Sequence, residues 1–328
     1  MKIGKLSNEQ LQTIIMDSIS YNREDVVLRS GIGEDCAGVS FGDEVCLLTT
    51  DPITGAASEV GKLAIHISCN DIASNGAAPM AILLTILAPE GTTEEELKTI
   101  MTQAHEEATK LEVEIVGGHT EITNAVNRII VSSTAIGKQK LNKLFSNKNL
   151  QQGDLIIMTK SAGLEGTGII AYEKNDELRE VLTEQEIKIA KDLLDKVSVV
   201  KEGIIAGEIG VSSMHDITEG GVLGAVWEIC EGSQLGAVIK YEAIHIHEVT
   251  HKICDYYKLN PLRLISSGTM LMTIQPNRID EIMDDLEEAS IEAAIIGEIT
   301  AKDVYLERRG RLSYVTPPDS DELYKVVF

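Results

Sequence analysis

Residues 61–91 read GKLAIHISCNDIASNGAAPMAILLTILAPEG. The stretch from Gly61 to Ser74 reads as a helix, with Leu63, Ile67 and Ile72 set among small residues. Asn70-Asp71 falls inside it. A polar pair in an otherwise apolar helix has to be satisfied, by a bond within the helix or by something that binds there. Upstream, Val45–Thr50 (VCLLTT) reads as a buried strand running into Asp51-Pro52. Downstream, Thr92/Thr93 followed by Glu95/Glu96 forms a capping box, and Leu97, Ile100, Met101, Ala104, Ala108 and Leu111 keep one face of the next helix apolar. Val113–Val116 reads as a strand ending at a Gly117-Gly118 turn, and Ile129–Ile136 as another, stopped by Gly137.

The polar stretch Lys138–Gln152, closed by Gly153-Asp154, is the candidate boundary between a domain over residues 1–145 and a second over 146–328. The second half opens with strand Leu155–Thr159 and a glycine-rich turn. A capping box at Thr183 and Glu186 starts a helix expected to run to about Val200. Thr269–Ile274, Ala293–Thr300 and Val304–Glu307 read as strands, with a helix marked by Ile279, Ile282, Met283 and Leu286. Val222–Cys230 reads as a helix with Trp227 anchoring its core. The strands are not spaced for one doubly wound sheet, so the expected class is α+β in two domains.

The chain has 328 residues, 29 Lys+Arg against 52 Asp+Glu, and a formal charge of −23. So acidic a protein repels phosphate backbones and anionic lipid, which argues against nucleic-acid and membrane partners. At 43% hydrophobic residues it has the material for a real core. No stretch of about 18 apolar residues occurs, and no signal peptide is visible. The five cysteines, Cys36, Cys46, Cys69, Cys230 and Cys254, are scattered and never spaced C-x-x-C. They read as core thiols of a cytoplasmic protein.

Carboxylates stand beside glycines at element ends: Glu34 and Asp35 in GIGED, Asp51 after TT, Asp71 after Asn70, and Glu121 in GGHTE. Hard oxygen ligands of this kind suit Mg²⁺, which takes one or two carboxylates together with substrate phosphates. Glycines let backbone approach those phosphates closely. Gly163, Gly166 and Gly168 follow a strand and open a helix, the place for an anion, although the run is not a Walker A loop. HDITEGG (215–221) precedes the Val222 helix in the same way.

In order, GIGEDCAGV (31–39), TTD (49–51), the 61–91 block, GGHTEIT (117–123), TKSAGLEGTGIIA (159–171) and HDITEGGVLGAV (215–226) resemble the AIR-synthase-related (PurM-like) superfamily. It includes AIR synthase, the hydrogenase-maturation factor HypE, selenophosphate synthetase and thiamine-monophosphate kinase. The resemblance covers nearly the whole chain and is strongest to HypE. It implies an N-terminal sheet domain that dimerises, a C-terminal α+β domain, and an ATP site between them. It places Glu34, Asp35, Asp51, Asp71 and Glu121 as magnesium-binding acids. Asn70, Gly117, Gly118, His119, Thr120, Gly163, Gly166, Asp216, Thr218, Gly220 and Gly221 fall beside the nucleotide. The implied chemistry is Mg-ATP-dependent phosphorylation of an amide or carbonyl oxygen. The alternative is a nucleotide-binding partner of a maturation complex without its own catalysis.

The chain departs from its kin at three places. His119 stands where the kinases carry Asp and AIR synthase Glu, with the acid displaced to Glu121. Ser266-Ser267-Gly268 replaces HypE's Asn-Glu-Gly, so an acid is missing there. HypE carries its carbamoyl group on a C-terminal cysteine, whereas the last cysteine here is Cys254, so no carbamoyl group is expected on this tail. Separately, His247-Glu248-Val249-Thr250-His251 matches the zincin pattern H-E-x-x-H. It lacks a third ligand at the expected distance, and Asn260-Pro261 ends its helix within about three turns, so it is expected to be a helix start.

Overall fold

The computed structural model describes residues 4–29, 31–54, 58–145, 149–318 and 320–327. After α1 (Asn8–Gln10), which continues as a π-helix over Leu11–Ile15 and a 3₁₀ turn over Met16–Ser18, come β1 (Val26–Leu28), β2 (Ala37–Phe41) and β3 (Glu44–Ile53). Helix α2 (Val60–Ala73) leads into β4 (Pro79–Ala88), and α3 (Glu94–Lys110) carries the chain to β5 (Glu114–Ile122). Strand β6 (Ile130–Lys140) completes a six-stranded sheet in the order β1-β2-β3-β6-β4-β5. The α3 crossover makes β4 and β5 parallel, while β6 is antiparallel to both β3 and β4. A crossover of this kind is how parallel neighbours are connected.

Twelve residues of α2 are buried, on all of its sides, which explains its small-residue composition. It packs on the inward side chains of β3 and β6, on α3, and on the second half of the chain. Leu63, Ile65 and Ile72 are wholly buried, each contributing about 1.5–3 kcal/mol of apolar burial. Ser68 is satisfied by the Ser133 hydroxyl of β6 at 2.7 Å. The capping box of α3 is formed by Thr93 and Glu96, and its buried apolar face is Ile100, Ala104 and Ala108. Met101, expected on that face, is 38% exposed.

Two strands run through the glycines expected to stop them. Gly117 and Gly118 lie inside β5, not in a turn. Any side chain at Gly118 would put its Cβ 1.8 Å from the Leu84 carbonyl oxygen of β4, so the residue is small for close strand approach. Gly137 likewise sits within β6, facing Ile72 of α2.

The second sheet comprises β7 (Leu155–Thr159), β8 (Ser213–Asp216), β9 (Gly236–Lys240), β10 (Met270–Ile274), β11 (Ala293–Thr300), β12 (Val304–Arg308) and β13 (Arg311–Tyr314). Their order is β13-β12-β9-β11-β7-β10-β8, antiparallel except for β12 on β9. Helices α4 (Leu164–Glu173), α5 (Asn175–Leu178) and α6 (Glu184–Asp192) follow β7. The helix expected to reach Val200 breaks instead. Beyond α6 comes a 3₁₀ turn over Leu193–Lys196, and α7 (Val200–Ile209) starts anew. The break is held by tertiary bonds: Asn70 grips the backbone of Val197 and Val199, and Lys160 Nζ donates to the Lys196 and Ser198 carbonyls. Helices α8 (Gly221–Ser233), α9 (Glu248–Tyr257), α10 (Ile279–Glu288) and α11 (Tyr324–Val327) complete the chain. One face of the sheet packs on α8, with the half-buried Trp227 against that core. The other face packs on α7 and α10.

The first sheet ends at Lys140 and the second begins at Leu155. Residues 146–148 of the intervening polar stretch lie outside the described residues. The two halves are packed tightly. Apolar residues of α2, α3, α4, α6 and α9 form one continuous core, and a Cβ on Gly203 of α7 would lie 2.2 Å from the Ala73 carbonyl oxygen of α2. Among the described residues no helix is long and apolar enough to cross a membrane.

Candidate active site in the cleft between the two halves

Between the two sheets lies a cleft of about 690 Å³. Carboxylates reach it from elements far apart in sequence: Glu34 and Asp35 from the loop after β1, Asp51 from β3, Asp71 from α2 and Asp216 from the end of β8. Thr218 lines it as well. Asp71 is 7% exposed and Asp216 1%. Burial first, then the charges of Asp216, Asp51 and Asp35, push the Asp71 carboxyl far above the usual carboxylate range. The Thr49 hydroxyl donates to Asp71. Burial and Asp35 likewise push Asp216 up to about 8, with Asp51 adding and His215 and Lys5 opposing.

Neither carboxylate oxygen of Asp216 has a hydrogen-bond partner. A buried acid with both oxygens unsatisfied, next to three more acids, costs several kcal/mol as it stands. A hard divalent cation removes that cost, and the oxygen-only donor set fits magnesium.

His215 completes the arrangement without acting as a ligand. Its Nδ1 lies 2.7 Å from Asp35 Oδ1 and its Nε2 3.3 Å from Glu228 Oε2. Burial pulls its pKa down, but those two carboxylates outweigh burial and raise it well above the ordinary histidine value. It therefore stands as an imidazolium with both nitrogens donating, bracing Asp35 of the first half against β8 of the second. Among the described residues Asp35, His215 and Asp216 form a group of three metal-capable side chains within reach of one ion; both His215 nitrogens already face carboxylates, which leaves the carboxylate oxygens as the donors. Lys5 also lines the cleft, where burial works against its charge but Glu228, Glu219, Asp51 and Asp35 raise its pKa.

Other sequence-assigned residues lie elsewhere. Asn70 is wholly buried, with Nδ2 donating to the Val197 carbonyl at 2.8 Å and Oδ1 accepting the Val199 N–H at 2.9 Å. It ties the two halves together one residue before Asp71. Gly117, Gly118, His119, Thr120 and Glu121 lie on β5, the exposed outer edge of the first sheet, and do not line this cleft. His119 Nε2 meets Glu121 Oε2 at 3.3 Å there. Gly163 and Gly166 pack under Leu264, where Gly166 leaves no room for a Cβ.

The N–H of Gly220 donates to Asp321 Oδ2 at 2.7 Å, and that of Gly221 to the Thr218 carbonyl at 3.1 Å. Asp321 also accepts from Ile265 and Leu323, so the chain's own carboxylate fills the anion position at the start of α8.

The H-E-x-x-H segment is a helix start. His247 caps α9 by accepting the Val249 N–H at 3.2 Å, and Glu248 pairs with Lys252 at 2.8 Å. Four of the cysteines are buried and Cys46 is half-buried. His215, Glu228, Lys5, Glu165, Ser267 and Asp321 were not assigned from sequence. His215 carried a signal in its position beside Asp216 in HDITEGG, Glu165 lay in TKSAGLEGTGIIA, and Ser267 stood in the triplet that replaces HypE's Asn-Glu-Gly.

Residues 33–139 match the family described as AIR synthase related protein, N-terminal domain, and residues 151–307 match its C-terminal domain. The chain belongs to the AIR synthase-related family. Within it, the chain is similar to a putative hydrogenase expression/formation protein of Methanocaldococcus jannaschii, at 29% identity over 99% of this chain and 100% of that one. It is also similar to carbamoyl dehydratase HypE of Rhizobium leguminosarum bv. viciae, at 25% identity over 85% of this chain and 79% of that one. Among solved structures, hydrogenase maturation protein HypE in complex with ATP superposes with a TM-score of 0.69 at 20% identity, over 86% of this chain and 87% of that one.

Proposed function

We propose that the cleft binds ATP through magnesium held by Asp35, Asp51, Asp71 and Asp216, with Glu34 beside them, and transfers the γ-phosphoryl group to an amide or carbonyl oxygen. The observation that carries this reading is the buried Asp216 carboxylate, with both oxygens unpartnered amid three other acids. Magnesium supplies charge neutralisation where a triphosphate enters an acidic cleft. Lys5 adds a positive charge at the same place. His215 keeps Asp35 in position through an ion pair that spans the two halves. Phosphoryl transfer needs little more than this kind of positioning and charge stabilisation. The relatives named for hydrogenase formation and carbamoyl dehydration make an amide-type acceptor the first to try.

The direct test supplies Mg-ATP and ¹⁸O-labelled acetamide and follows the label by mass spectrometry. The expected result is ¹⁸O in the released phosphate. ATP bound but never turned over would support the second reading, a nucleotide-binding partner of a maturation complex, for which the Ser266-Ser267 pair in place of an acid is the motive.

The proposal includes a homodimer. Strand β5 leaves its outer edge open, and Val116 and Ile122 on it are 50% and 52% exposed. An open edge of this kind is a template for pairing with another chain. A second copy on that edge would carry His119 and Glu121 into the shared interface. Light scattering is expected at twice the 35.6 kDa chain mass; a monomer at micromolar concentration would contradict it.

A further inference from the structure

Glu165 is the second residue of α4, following Gly163 in the left-handed region at φ 68°. It is 4% exposed and lines the cleft from the second half. Its carboxylate accepts the Ser267 backbone N–H at 3.3 Å, and among the described residues no Lys or Arg pairs with it. The charged and titratable groups facing it are Asp321 and Tyr324 of the C-terminal segment and Glu219 before α8. Ser267 is wholly buried, lines the same cleft, and its hydroxyl completes no hydrogen bond. That hydroxyl lies near enough to lower the Glu165 pKa but is not aligned to bond it. A buried carboxyl without a cation, beside a buried hydroxyl without a partner, is a costly pair that packing alone does not explain.

The other lining groups are committed. Glu219 accepts the Lys5 N–H and the Tyr324 hydroxyl, Asp321 holds three backbone N–H groups, and the aspartates are assigned to the cation. We propose that Glu165 is the general base of the reaction in this cleft, taking the proton the acceptor loses, with the Ser267 hydroxyl holding the acceptor in place. The proposal rests on the phosphoryl-transfer reading above. For a primary amide, the amide oxygen bonds to the γ-phosphorus and the bond from that phosphorus to the ADP oxygen breaks. One N–H proton passes to a Glu165 oxygen, leaving a neutral C=N–H; cleavage of the carbon–oxygen bond, with the remaining N–H proton passing to the departing phosphate, then gives the nitrile and free phosphate carrying the amide oxygen. Burial, with Asp321 and Glu219 adding and Ser267 opposing, pushes the Glu165 carboxyl up to about 7, the range in which a base works near neutral pH.

The test uses the full chain as wild type, Glu165→Gln, Glu165→Asp and Ser267→Ala. Mg-ATP affinity is measured by calorimetry, and phosphate release with acetamide from pH 5.5 to 9. Glu165→Gln is expected to bind Mg-ATP within about twofold of wild type while phosphate release falls about 100-fold or more. The wild-type rate should rise with pH through about 7, as the base loses its proton, and that limb should vanish in Glu165→Gln. Glu165→Asp should keep the limb at a lower rate, and it decides the matter if a melting curve shows Glu165→Gln unfolded. Ser267→Ala should raise KM more than it lowers kcat.

A Glu165→Gln protein with the wild-type rate and limb would overturn the proposal. So would a wild type that binds Mg-ATP tightly and releases no phosphate at any pH, although the nucleotide site would then stand. Absence of Mg-ATP binding in the wild type would overturn the reading on which the proposal rests.

Discussion

Asp216→Asn is expected to make the cation-free protein more stable while abolishing its response to magnesium and ATP. The folded-state pKa of Asp216 is raised from 3.8 to about 8. A carboxyl raised in this direction costs stability once the pH exceeds its unfolded value, and the cost grows until the pH passes the folded one. Near pH 7 it is on the order of 4 kcal/mol. The amide carries no charge, and its N–H groups can donate to the neighbouring carboxylates. The melting temperature of the cation-free variant should therefore rise by about 5 °C, with a flatter dependence on pH between 4 and 8. Magnesium with ATP should raise the wild-type melting temperature and leave the variant's almost unchanged. Scanning calorimetry with EDTA, then with both ligands, reads both effects; a variant that melts lower than wild type in EDTA would show that Asp216 is a structural acid.

Asn70→Ala should be strongly destabilising. Asn70 is wholly buried and satisfies one carbonyl and one N–H in the break between α6 and α7. Truncation removes two hydrogen bonds and leaves both backbone groups without partners in a dry interface. Each such group costs about 1–3 kcal/mol, so a loss of about 3 kcal/mol is expected. Because Asp71 follows directly on the same helix, Mg-ATP affinity should fall as well. Urea denaturation measures the first effect, and a loss under about 1 kcal/mol would mean that water replaces the side chain.

The elements that were legible in the sequence are those with strong local signals. The capping boxes at Thr93 and Thr183 start helices where expected. The small-residue helix after Gly61 was legible from its composition, and the acids at element ends were legible singly. Glu34, Asp35, Asp51, Asp71, Asp216 and Thr218 do converge on one cleft. The failures share a cause, that tertiary contact overrode local preference.

Gly118 and Gly137 read as stops because glycine usually punctuates, but here each is small to admit a neighbouring strand or helix. The helix after Thr183 broke because Asn70 and Lys160, distant in sequence, hold the chain there. β4 was overlooked because its run reads as either a helix or a strand. β8, whose four residues are all buried, shows no alternation. The role of Asn70 was invisible for the same reason, since its partners lie 127 and 129 residues away. Glu165 lay in a matching segment that read as a glycine turn, Asp321 carried no pattern, and only the folded cleft brings them to the same wall.

The central claim is that the cleft acids bind nucleotide only through a divalent cation. Calorimetric titration of ATP into wild type and Asp216→Asn, with magnesium and with EDTA, tests it most directly. The account predicts saturable binding to wild type in magnesium, none in EDTA, and affinity weakened about 100-fold or more in the variant, the loss expected when one member of a buried charge set is removed. ATP binding of equal strength in wild type with EDTA, or in Asp216→Asn with magnesium, would contradict it.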